Sequence, residues 1–320
     1  MFKKWIERSY RKMLFTRIDD TGTVRYFSAN DFEGLQSRAF DFRAKAGHLL
    51  RGSFYFYEGR ETDRVVVFDH GMGCGHRPYM KEIEMLARHG YTVFSYDHTG
   101  CANSEGVGMG GFATSPADLD ACLAALKAER PMGESRYSVM GHSWGGFSTM
   151  NIAALHPDVC HLVALSGPIS TEAMIDQFMG KAPAFIRRHI MSLERAANPG
   201  YAELDARTSL AAAEMPVLLI YSDDDKTVSY ERHFLPLAEA LGTKENVTLV
   251  TLTGKDHNPN YTTAAVAKKA EMFNTRARLL KKGRLNTDEA KKAFVARWDW
   301  HAITEQDPAV WEQIFAFLDK

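Results

Sequence analysis

YSVMGHSWGG, residues 137–146, decides the fold of this chain. Tyr137, Val139 and Met140 form a short apolar run, and Gly141-His142-Ser143-Trp144-Gly145 follows it. A serine on a sharp strand-to-helix turn is forced into a strained backbone, which lifts its Oγ above the sheet. Glycines two residues to either side allow the close approach this needs. The helix that follows aims its first amides at the site, where they favour negative charge. Ser143 is therefore the candidate nucleophile, and the Trp144 amide a candidate donor to an oxyanion. His142 reads as structural, because its place on the turn points it away from Ser143.

Outward from this turn, strands and helices alternate. Residues 64–69 (RVVVFD), 92–96, 137–140, 161–166, 217–222 and 247–253 read as strands. Apolar runs this short suit strands buried on both faces. Residues 79–89 predict a helix stopped by Gly90. Residues 115–130 predict another, with Ser115 as N-cap and Pro116 at its first position. Residues 23–27 and 52–57 read as antiparallel strands ahead of the alternation. The last helix, 308–318, carries Val310, Trp311, Ile314, Phe315 and Leu318 on one face. The pattern predicts an α/β fold with a mostly parallel sheet and helices on both faces.

A serine hydroxyl needs a base to take its proton. On such a fold the partners follow in the order Ser, Asp/Glu, His, on loops after later strands. The strand at 217–222 leads into Asp223-Asp224-Asp225, and the strand at 247–253 into Gly254-Lys255-Asp256-His257. His257 is the expected base. Asp225 is the expected orienting acid, with Asp224 as its alternative. The second oxyanion donor is expected from Asp69-His70-Gly71-Met72-Gly73, at the Met72 amide.

The chain resembles the α/β-hydrolase superfamily, and within it the serine aminopeptidase and monoacylglycerol-lipase-like branch. Five segments carry the resemblance: HGMGCGHRPY (70–79), SYDHTGCANSEG (95–106), GHSWGG (141–146), SDDDKTV (222–228) and GKDHN (254–258). The resemblance implies ester hydrolysis through an acyl-enzyme, or related amide or thioester chemistry. No cofactor or metal is called for. In the branch's D-x-x-G-x-G-x-S-x-G loop, Ala102 stands where the second glycine is usual. His98 and Cys101 read as wall residues of that loop rather than as a metal site or reactive thiol.

Two stretches interrupt the alternation. Residues 169–215 hold Met174, Phe178, Met179, Phe185, Ile186, Ile190, Met191 and Leu193, and read as a small helical cap. Residues 262–300 read as a basic helical insertion; between Thr262 and Arg297, ten Lys/Arg face three acids, a local charge of +7. The hydrolase core is then 19–168 and 216–320. Residues 1–18 form an amphipathic arm, either docked on the body or a partner, or lying on a membrane surface.

The net charge of −1 across 320 residues gives no global field for nucleic acid. The four cysteines form no CxxC pair or zinc spacing. No signal peptide or eighteen-residue apolar span is read, so the cytoplasm is the expected location. Three functional readings follow: an esterase acting on a small, medium or aromatic acyl group; a peptidase or amidase of the same fold; and a non-catalytic binding relative. A carboxylate-lined recess for an α-amine would favour the peptidase or amidase; the cap has Glu172, Asp176 and Glu194, which does not decide the matter.

Overall fold

The structure, a computed structural model, describes residues 2–59, 61–129, 136–180 and 182–320. Its strands are β1 Leu35–Ala39, β2 Phe42–Arg43, β3 Leu49–Leu50, β4 Gly52–Tyr57, β5 Arg64–Asp69, β6 Thr92–Tyr96, β7 Arg136–His142, β8 Leu162–Leu165, β9 Val217–Ser222 and β10 Val247–Leu252. Eight of them form one sheet in the order β1-β4-β6-β5-β7-β8-β9-β10, while β2 and β3 pair separately. The β1–β4 and β4–β6 pairs are antiparallel, and every later pair is parallel. The central strands are buried along their length, which is why they read as unbroken apolar runs.

The helices are α1 Phe2–Leu14, α2 Met80–His89, α3 Thr114–Glu129, α4 Trp144–Asn151, α5 Thr171–Met179, α6 Ala184–Ala197, α7 Ala206–Ala211, α8 Leu235–Leu241, α9 Thr263–Lys281, α10 Asp288–Ala296, α11 Trp300–Ile303 and α12 Pro308–Leu318. Leu119, Leu123 and Leu126 of α3, Leu210 of α7 and Leu237 of α8 join one core layer with Val139 and Leu219. Ile83 and Leu86 of α2, with Met272, Phe294, Trp300 and Trp311 of α9–α12, fill the other layer against Val66 and Met140. The basic stretch is thus built into the core through its apolar residues. A third cluster joins Tyr10 and Leu14 of α1 to Met174 and Ile190 of α5 and α6, and to Trp144 and Phe147 of α4.

Strand register gathers the loops that matter. Asp69 pairs with Gly141, so the 70–79 loop and the Ser143 turn leave the sheet side by side. Ser222 pairs with Leu252, so the 223–225 and 253–257 loops leave together at the same ends.

Three expectations are corrected. Residues 23–27 form no strand; Phe27 is buried against Phe32 and His301, and the segment runs over α9 and α11 as a loop. The edge strand is Leu35–Ala39, where only Leu35 is buried, so no alternation marked it. Helix α3 begins at Thr114, so Ser115 is no N-cap and Pro116 is not at the first position; the Ser115 hydroxyl instead donates to the Trp144 carbonyl at 3.2 Å. The helix end expected at Arg130 lies outside the described residues, as does Met1 of the arm.

The arm is docked. The Tyr10 hydroxyl donates to Glu194 Oε1 at 2.6 Å, and His189 pairs with Glu7 at 2.9 Å. Just beyond it, the Arg17 guanidinium donates to the carbonyls of Ala102, Ser104 and Gly106. Among the described residues no helix is long and apolar enough to cross a membrane.

Candidate active site

Ser143 sits between β7 and α4 at φ 57° and ψ −116°, a conformation that L-residues rarely adopt. Such strain costs on the order of 1–3 kcal/mol and persists only where the surroundings enforce it. Here the enforcement is close packing. A methyl on Gly141 would lie 2.2 Å from the Gly145 carbonyl oxygen, and one on Gly145 would lie 2.0 Å from that of Asp69. No side chain larger than hydrogen fits at either position.

The sequence-predicted residues meet in one hydrogen-bonded chain. His257 Nε2 lies 2.8 Å from Ser143 Oγ, and His257 Nδ1 lies 2.7 Å from Asp225 Oδ2. Asp225 Oδ1 accepts from the Thr227 and Val228 amides at 2.7 and 2.9 Å. Burial works to raise the Asp225 carboxyl. The His257 hydrogen bond and charge, with those two amides, outweigh it and hold the group below its ordinary value.

Asp224 has a different task. Its Oδ1 accepts from the amides of Gly254, Lys255 and Asp256 and from the Ser222 hydroxyl. It ties down the loop that carries His257 and does not reach the imidazole.

The turn directs His142 away from Ser143, and its ring does leave Ser143 free. It faces His257 instead. His142 Nε2 donates to the His257 carbonyl at 2.6 Å, and the two rings lie 4.8 Å apart. The Tyr79 hydroxyl donates to His142 Nδ1 at 2.9 Å and accepts from the Gly71 amide at 3.1 Å. Burial, then the neighbouring His257, pulls the His142 imidazole down to about 3, so the ring is neutral and this relay has one direction. It links the 71–79 loop to His257. Residues 79, 142 and 257 are far apart in sequence, and no spacing rule would have joined them.

Met72 lies on the loop beside Ser143, since a methyl on Gly71 would stand 3.2 Å from Ser143 Cβ. Its side chain is partly exposed, and Trp144 is fully buried with its indole N–H donating to the Phe112 carbonyl at 2.6 Å. The loop is anchored by a second relay. The Tyr55 hydroxyl meets His76 Nε2 at 2.7 Å, and His76 Nδ1 meets Asp97 Oδ1 at 2.7 Å.

The 97–106 loop forms a buried wall. Cys101 is fully buried and burial pushes its thiol far up, which makes it unreactive. His98 lies between Asp69 and Asp118, against Trp144. Among the described residues no group of three His, Cys, Asp or Glu could hold a metal ion. Ala102 takes φ 42°, the conformation a glycine would supply. Ala102→Gly is expected to raise stability by about 0.5–1 kcal/mol, read as a higher urea midpoint. An unchanged or lower midpoint would mean that this backbone is unstrained.

The candidate aminopeptidase recess is not assembled. Glu194 accepts from Tyr10 and from the Phe112 and Ala113 amides, Asp176 pairs with Arg187, and Glu172 is exposed.

A strained serine between a parallel strand and a helix, with His and Asp on later loops, is the arrangement of the α/β-hydrolase fold, and this chain has that fold. Within it, residues 60–201 match the family described as serine aminopeptidase, S33. RutD of Yersinia enterocolitica, named for carbamate hydrolysis, is 33% identical over 104 residues, 32% of this chain. That stretch spans 36% of RutD, about a third of its length. Among solved structures, the esterase Pf2001 of Pyrococcus furiosus is similar with a TM-score of 0.58 at 20% identity, over 88% of this chain and 98% of its own. The α/β hydrolase GrgF of a Penicillium species gives 0.54 at 17%, over 77% of this chain and 98% of its own.

Proposed function

We propose that this protein is a serine hydrolase that cleaves carboxylic esters through an acyl-enzyme. The observation that carries the proposal is the continuous chain Ser143 Oγ, His257, Asp225 at 2.8 and 2.7 Å. His257 Nε2 takes the Ser143 proton as Oγ attacks the ester carbonyl. The carbonyl oxygen becomes an oxyanion, held by the Trp144 and Met72 amides. The C–O bond to the alcohol breaks, and His257 returns its proton to the departing oxygen. Water, activated by His257, then attacks the acyl-Ser143 ester and releases the acid. Asp225 fixes the His257 tautomer and stabilises the imidazolium formed in each half-reaction.

Esters are favoured over the N-terminal amides of peptides, because Glu194 and Asp176 are engaged elsewhere and Glu172 is exposed to solvent. The test is labelling with a fluorophosphonate probe. A covalent adduct on the wild type that is absent from Ser143→Ala is expected. Equal labelling of both, or labelling of neither, would reject the proposal.

A further inference from the structure

Beside the 71–79 loop lies a cavity of about 330 Å³, walled by residues 18–27, by the loop itself, and by α9 and α11. It borders the candidate site, since Gly71 lines it and a methyl there would touch Ser143. Its size is at the lower end of small-molecule pockets. Phe27, Met72, Met272 and Trp300 give it apolar walls.

Its charge is one-sided. Arg77, Lys269 and Arg276 line it, and none of the three forms an ion pair with a described acid. Arg276 donates to the hydroxyls of Thr21 and Thr23 at 3.1 and 2.6 Å. Lys269 donates to Asn258 Oδ1 at 2.6 Å, beside the base, and lies over the Tyr261 ring. The remaining acid of the wall, Asp19, is already paired with Arg17, and Arg25 with Asp31. Desolvation pulls the Lys269 ammonium down to about 8, against the pull of Glu82, so it keeps its proton at neutral pH. Lys269 and Arg276 are seven residues apart on one face of α9, whereas Lys268, Arg278 and Lys281 are exposed. The basic stretch therefore turns two cations inward.

We propose that this cavity binds an anionic end of the ester substrate, a carboxylate on an aromatic or aliphatic stem, through Lys269 and Arg276. The proposal rests on the ester-hydrolase reading. It makes the enzyme selective for esters that carry a negative charge.

Two ester pairs test it and show which half of the substrate enters. 3-Acetoxybenzoate against phenyl acetate places the charge on the alcohol half. The monophenyl ester of adipic acid against phenyl hexanoate places it on the acyl half. The wild type is expected to prefer the charged member of one pair by roughly tenfold in kcat/KM, the scale of one charge-assisted contact. Lys269→Met and Arg276→Met are each expected to bring that ratio close to one, and Lys268→Met to leave it unchanged. Higher salt shrinks the wild-type ratio, a readout that needs no folded variant. A ratio near one in both pairs, or a preference that survives both substitutions, overturns the subsite while leaving the esterase reading standing. Failure to hydrolyse any of the four esters in a Ser143-dependent way overturns both.

Discussion

His257→Ala is expected to lower ester kcat by roughly 10⁴-fold or more, because it removes the only route for the Ser143 proton. The 2.8 Å contact to Ser143 Oγ is the sole bond from that hydroxyl to a titratable group among the described residues. The adjacent acids separate cleanly. Asp225→Asn presents an amide to His257 Nδ1, which favours the wrong tautomer, and the expected loss is about 10³–10⁴-fold in kcat. Asp224→Asn keeps a carbonyl oxygen for the three amides it caps, and roughly tenfold or less is expected. Comparable losses in the two variants would place the orienting charge on the pair rather than on Asp225. Near-normal turnover by His257→Ala would remove His257 from the mechanism.

This contrast also marks how far the sequence could be read. Ser143 was legible because the strained turn demands glycine at 141 and 145, and such a demand leaves a local trace. His257 was legible from strand order. Asp224 and Asp225 both face the loop that carries His257, one at its amides and the other at the imidazole, and a three-residue acidic run offers no local trace of that difference. The His142–Tyr79 relay was not legible, because it depends on strand register bringing the 70–79 loop against the turn. Residues 23–27 look like a strand because their side chains suit one. The structure uses them as a cavity wall, and the edge of the sheet goes to Leu35–Ala39. The basic stretch showed its charge but not its direction, since only folding decides which face of α9 turns inward.

The contribution of His98 to stability is expected to fall by on the order of 3 kcal/mol between pH 6.5 and 9. Its Nε2 lies 2.9 Å from Asp69 Oδ1 and its Nδ1 3.3 Å from Asp118 Oδ2, all fully or nearly fully buried. Burial opposes its charge, but the two carboxylates prevail and raise the imidazole to about 9. A base raised in the folded state contributes fully below its unfolded value and loses that contribution as pH rises through its folded value. Other buried histidines act on the opposite flank. His70, His142 and His233 are held neutral, at about 3, 3 and 4, chiefly by burial, so stability is lost as pH falls below 6.5. Lys269, lowered to about 8, adds stability as pH rises past that value, and with these histidines it offsets much of the His98 decline in the wild type. Urea midpoints for the wild type and His98→Asn at pH 6.5 and pH 9 are the test. His98→Asn is expected to be less stable at pH 6.5 by about 3–5 kcal/mol, the cost of leaving buried carboxylates without their cation. That deficit is expected to shrink by on the order of 3 kcal/mol at pH 9. A stability difference between the wild type and His98→Asn that is the same at both pH values would mean that no imidazolium lies beneath Trp144.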